Sequence, residues 1–146
     1  MAYTLQAILA RSGALSEPQL DQLKLVPLLG GVDLIPLSRD ALKAYALPFL
    51  PLTDEGQQDL PSTLAELCER LSVQGQVAYV EAEFFGGAGT QARALYSEGK
   101  AVGPVVVSDS AINEALRYIG VDKGGAADEF DAIGLGQHRN TDGWLT

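Results

Sequence analysis

Glu81 and Glu83 stand two residues apart in the clearest strand pattern of the chain, QVAYVEAEFF over residues 76–85. Side chains at i and i+2 of a strand leave the same face, so the two carboxylates project together. Such a pair can serve general acid–base chemistry or bind a hard cation. The chain then enters Gly86, Gly87, Ala88, Gly89, Thr90, Gln91 and Ala92, which contains G-x-G-x-x-A directly after a strand. That spacing is the dinucleotide fingerprint, and Asp109 lies near the offset of its ribose-binding acid. In this reading backbone N–H groups at a helix N-terminus hold a pyrophosphate. A third set sits towards the C-terminus. Asp128, Glu129, Asp131 and the only histidine, His138, offer metal-ligand types, and Arg139 with the only tryptophan, Trp144, makes an amphipathic cluster of the kind found at binding surfaces.

Each of these has a plainer reading. Only residues 90–100 separate the glycines from the next strand, and a parallel crossover needs a dozen or more residues. A hairpin with a glycine loop fits that distance better, and SEGK over residues 97–100 reads as a second tight turn. Arg93 then sits across from Glu81 or Glu83 and neutralises them, which leaves a solvated polar face. No Gly-Lys-Ser/Thr follows the glycines, so no P-loop is present. Acyl transfer lacks a G-x-S-x-G and leaves His138 without a nucleophile. The Asp128–His138 spacing matches neither an EF-hand nor H-E-x-x-H. These patterns imply no cofactor and no metal, and Trp144 reads as an anchor for the C-terminal segment.

The elements that must position these residues can be read from periodicity. Residues 3–9 alternate as a first strand, and residues 16–23 suit a short helix opened by Ser16. Gly30-Gly31 separates two apolar runs at hairpin spacing, with Pro27 and Pro36 marking edges or strand ends. Ser38 caps a helix over RDALKAYAL, and residues 48–59 read as an exposed connection. A helix with a buried face of Leu64, Leu67, Cys68 and Leu71 follows, its start marked by capping-box spacing at Thr63 and Glu66. Residues 101–107 form a strand feeding Ser108, the expected cap of DSAINEALRYIG, which Gly120 closes. The whole is expected to be one α+β domain over residues 1–146: a mainly antiparallel sheet of about five strands with three or four helices.

Composition agrees with a packed domain. The 146 residues are 47% apolar and 20% charged, with a mean hydropathy of +0.08. Net charge is −9, which repels nucleic acid and anionic membranes and favours a basic protein as partner. The single cysteine excludes an internal disulfide, and Cys68 beside Glu66 and Glu69 reads as a small core hydrophobe. With no basic leader and no apolar run near the roughly 20 residues of a bilayer span, the chain reads as soluble and cytoplasmic. The function this favours is a non-enzymatic protein-binding role, such as neutralisation of a basic toxin by an immunity protein. The alternative is a small-molecule or metal-dependent enzyme, with Glu81, Glu83, Asp128, Asp131 and His138 converging on the glycine loop.

Three blocks, AYVEAEFFGGAGTQA, INEALRYIGV and DEFDAIGLGQHRNTDGW, in that order, resemble a family of small uncharacterised bacterial proteins. The resemblance covers the C-terminal half. It implies a compact α+β protein of the bacterial cytoplasm and transfers no catalytic residue.

Overall fold

The computed structural model describes residues 2–15, 23–85 and 88–145. Its centre is an antiparallel sheet in the order β2-β3-β1-β4-β5-β6, with β7 also paired to β5. The strands are β1 (Tyr3–Arg11), β2 (Val26–Leu28), β3 (Val32–Pro36), β4 (Val77–Phe85), β5 (Ala88–Ser97), β6 (Lys100–Ala101) and β7 (Val106–Val107). Among the described residues four α-helices accompany them: α1 (Arg39–Ala44), α2 (Ser62–Leu71), α3 (Ala111–Tyr118) and α4 (Glu129–Ala132). The fold is therefore α+β, with seven strands among the described residues where the sequence suggests about five. The surplus arises because residues 101–107 do not form one strand. They contribute only the end of β6 and the two residues of β7. The helix expected over residues 16–23 falls almost wholly outside the described residues. No helix of the described chain is long and apolar enough to cross a membrane.

Strand alternation gives the sheet two apolar faces. Ile8, Ala10, Ile35, Val77, Tyr79, Ala92, Ala94 and Tyr96 pack on one side with Leu64, Leu67, Cys68 and Leu71 of α2. Leu5, Ala7, Leu9, Val32, Leu34, Ala78, Val80 and Ala82 pack on the other with Ile112, Ala115 and Leu116 of α3. Each fully buried leucine or isoleucine contributes about 1.5–3 kcal/mol relative to exposure, so the two layers supply most of the driving force. Burial pushes the Cys68 thiol far up, with Glu69 adding to the effect, so this cysteine is an inert core group.

Local signals place most helix ends. Ser38 Oγ accepts the Ala41 N–H at 3.3 Å and caps α1. The capping box at Thr63 does not form, because α2 begins two residues earlier than that cap would set, at Ser62 behind Pro61. The start of α3 also shifts: Ser108 Oγ accepts the Ser110 N–H, and Ser110 precedes the first helical residue. Both α1 and α3 end in the same way. The N–H two residues past the cap returns to a carbonyl of the last turn, Leu47 to Leu42 and Val121 to Leu116. The left-handed residue this demands is Gly120 after α3 but Ala46 after α1, with φ of 95° and 54°. Replacing Ala46 by glycine relieves about 1–2 kcal/mol of left-handed strain against about 0.4–1 kcal/mol of added freedom in the unfolded chain. Urea unfolding of Ala46→Gly is expected to show a gain of about 0.5–1 kcal/mol.

Candidate functional site

The β4–β5 hairpin closes with Phe85 opposite Ala88. This settles the glycine segment in favour of the hairpin: Gly89, Thr90, Gln91 and Ala92 lie within β5, so no helix starts there. Gly86 and Gly87 fall outside the described residues. Gly89 serves close packing, since a Cβ there would collide with the Phe84 ring across the ladder and lie 2.6 Å from the Glu83 carbonyl oxygen. The turn expected over residues 97–100 is present, with Ser97 paired to Lys100.

The same register corrects the expected ion pairs of Arg93. Closing Phe85 on Ala88 pairs each odd-numbered residue of β4 with an even-numbered one of β5. Glu81 therefore faces Ala92, Glu83 faces Thr90, and Arg93 stands opposite Val80 on the other side of the sheet. There Arg93 Nε donates to Glu114 Oε1 of α3 at 2.7 Å. Hydrogen bonds from Ser110 and Arg93 hold the Glu114 carboxyl below the usual carboxylate range.

Glu81 is not on a solvated face. It is fully buried, and four donor groups converge on its carboxylate. The Leu52 N–H reaches both oxygens at 3.1 and 3.2 Å, the Thr53 N–H reaches Oε1 at 2.8 Å, the Thr53 hydroxyl donates at 2.9 Å, and Tyr79 OH donates to Oε2 at 2.6 Å. Gln6 extends the network from β1. Its amide nitrogen donates to Tyr79 OH at 2.9 Å and to the Pro48 carbonyl at 3.0 Å, while its amide oxygen accepts the Leu50 N–H at 3.1 Å. Burial, reinforced by the Glu81 charge, pushes the Tyr79 hydroxyl far above its ordinary value, which keeps it a donor. Residues 48–53 are thus strapped to the sheet, and the connection expected to be exposed is buried at Leu50, Pro51 and Leu52.

Beyond the strap the surface turns acidic. Glu83, on the same face one step nearer the hairpin mouth, has its carboxyl raised by desolvation and then by the charges of Asp54 and Glu81. An open groove of about 420 Å³ lies between residues 52–58 and the edge formed by Val105, Val107 and Thr90, the residue paired with Glu83; no acidic side chain lines the groove itself. Phe85 and Val107 are exposed on the same face, at 60% and 51%.

The C-terminal candidates lie elsewhere. Asp128 caps α4 by accepting the Asp131 N–H at 2.8 Å, and it also accepts from the Asn113 side chain at 3.2 Å. Asp131 projects into solvent. His138 packs edge-on against Trp144, with ring centroids 4.5 Å apart, and Trp144 is buried in the α3-side core. Arg139 is exposed, but its carbonyl accepts the Thr4 N–H at 2.8 Å, and Thr141 Oγ1 accepts the Gln6 N–H at 3.0 Å. The tail so runs beside the first residues of β1, on its β3 side, where the β1–β3 pairing has ended. It reaches the hairpin through Phe130, Tyr3 and Phe84, whose rings contact in sequence. Glu81 belongs to one face of the sheet, and Asp128 and His138 are held by residues of the other, so these groups do not converge. Among the described residues no three His, Cys, Asp or Glu side chains are placed to hold a metal.

Two amides the sequence left without a structural role join the C-terminal blocks. Gln91 donates to the Asp109 carbonyl at 2.8 Å and accepts the Ile112 N–H at 3.0 Å, fastening the start of α3 to β5. Asn113 accepts the Phe130 N–H at 2.9 Å while donating to Asp128, fastening α4 to α3. Gln6 was missed as well; its one signal was a long polar side chain inside an apolar strand.

Compared with family models, curated proteins and solved structures, the chain matches none. Residue roles therefore rest on the geometry. Substituting Glu81 by leucine leaves two backbone N–H groups and two hydroxyls without their acceptor, at about 1–3 kcal/mol for each buried donor left unmade. Glu81→Leu is expected to lose at least about 3 kcal/mol in urea unfolding. Thr53→Ala, which removes one donor and leaves the others paired, is expected to lose about 1 kcal/mol.

Proposed function

We propose that the protein is a non-enzymatic binding module in which a groove at the mouth of the β4–β5 hairpin, flanked by Asp54 and Glu83, receives a basic segment of another protein. The observation that carries this reading is the placement of Asp54, which the Thr53–Glu81 hydrogen bonds bring up to the face where Glu83 stands; the Glu83 carboxyl there is raised by desolvation and then by the charges of Asp54 and Glu81. Like charges held together raise one another's energy, and an incoming lysine or arginine relieves them. Glu55 and Asp59 lie on the same connecting segment and add to the field, within a chain of net charge −9. The exposed Phe85 and Val107 supply the apolar contact that a purely electrostatic encounter lacks. Against an enzyme stands the use already made of the reactive groups. Glu81 is consumed by the strap, Arg93 by Glu114 and Asp128 by a helix cap, while the His138 ring rests against Trp144, away from Glu81.

Such a surface suits neutralisation of a basic protein in the manner of bacterial immunity proteins, where charge complementarity speeds encounter. The immobilised protein is expected to retain a basic protein from an extract of its native host at low salt. That protein should elute as ionic strength rises, because exposed charges are screened over about 10 Å at 0.1 M. The double variant Asp54→Asn/Glu83→Gln is expected not to retain it. In the complex, Glu83 should titrate closer to the ordinary carboxylate range, since a neighbouring cation favours its charged form. Recovery of no protein at low salt, or equal retention by the double variant, would refute the proposal.

A further inference from the structure

A second concavity lies on the edge of the molecule where α1, residues 47–49 and the tail meet. It is an open cleft of about 810 Å³ whose apolar wall is Leu37, Leu42, Leu47 and Phe49. That volume lies in the range of sites that take small organic molecules, which are mainly apolar with a few polar groups that orient the ligand. Phe49 stands with 52% of its surface exposed, a large aromatic face left open on the wall.

The charge of the cleft is opposite to that of the rest of the protein. Arg39 and Lys43 line it, four residues apart on α1, which places both on one side of the helix. Like charges at this spacing repel, so the pair is set against local stability and against the acidic bias of the chain. Neither residue is in the ion pairs of the described chain, which are Arg93–Glu114 and Arg117–Glu129. The one carboxylate on the lining, Asp142, accepts the backbone N–H of Arg39 at 3.1 Å.

The wall is also held in advance of any ligand. Gln6 fixes the Pro48 carbonyl and the Leu50 N–H on either side of Phe49, and Glu81 fixes the Leu52 and Thr53 amides just beyond. Ala46 and Leu50, which bracket Leu47 and Phe49, both keep positive φ without being glycine, at 54° and 43°. Strained backbone of this kind persists where the surroundings over-determine it, and it recurs at ligand clamps. A preformed wall reduces the ordering cost of binding.

We propose that this cleft binds a small organic carboxylate with an apolar body, the carboxylate meeting Arg39 and Lys43 and the body lying on Leu42, Leu47 and Phe49. The site shares no lining residue with the groove near Glu83 and takes a ligand of charge opposite to the partner proposed there. Its test is a titration of the labelled protein with phenylpropionate, followed by amide chemical shifts, beside the neutral isostere phenylpropanamide. Phenylpropionate is expected to shift amides of residues 37–49 and 140–142 with saturation. The neutral amide should bind about tenfold more weakly, as should phenylpropionate to Arg39→Gln/Lys43→Gln, because charge-assisted hydrogen bonds are lost. Phe49→Ala should weaken both compounds alike. Absence of saturable shifts in those residues, or equal binding of the acid and its amide by the unsubstituted protein, overturns the proposal. That comparison decides even if the double variant does not fold.

Discussion

A buried carboxylate surrounded by neutral donors organises one whole side of this molecule. Glu81 lies at zero exposure in the central strand, and neither ion pair of the described residues includes it. Moving an unpaired carboxylate out of water costs many kcal/mol, and it survives there only when hydrogen bonds replace its hydration. Two backbone N–H groups and the Thr53 and Tyr79 hydroxyls make that replacement. The dependence runs both ways. Residues 50–53 form no helix or strand, so the sheet's side chains are what satisfy their amides, and Gln6 serves Leu50 as Glu81 serves Leu52 and Thr53.

Both concavities follow from this strap. Residues 52–58 make one wall of the groove near Glu83, and residues 47–49 make one wall of the cleft lined by Arg39 and Lys43. A single network between β1, β4 and the connection thus fixes one wall of each concavity. On the far side of the sheet the fastening is done by amides. Gln91 and Asn113 pin α3 and α4 through their starts, and the tail then runs beside the first residues of β1 until Trp144 enters the core. Those bonds link the three sequence blocks of the C-terminal half to one another.

Much of the sheet was legible because its signals are local. Alternation in residues 76–85 gave both faces of β4, and the short distance after Gly89 pointed to a hairpin instead of a crossover. The helical face of Leu64, Leu67, Cys68 and Leu71 came from periodicity alone. The candidate site was less legible, because it depends on register and on what covers a strand. Glu81 and Glu83 look alike in sequence, yet only Glu83 reaches the surface, since a non-regular segment far upstream lies over Glu81. The apolar run Phe49, Leu50, Pro51 and Leu52 within that connection was the available clue to burial. Arg93 was assigned to the wrong face because a one-residue change in pairing reverses every side chain.

The strap itself can be measured directly by amide hydrogen exchange at Leu52 and Thr53. Both amides belong to a segment without helix or strand, so protection there reports the bonds to Glu81 and little else. They are expected to exchange as slowly as the β1 and β4 amides, and to lose that protection in Glu81→Gln while the strands keep theirs. Fast exchange of Leu52 and Thr53 in the unsubstituted protein would contradict the central role given to Glu81.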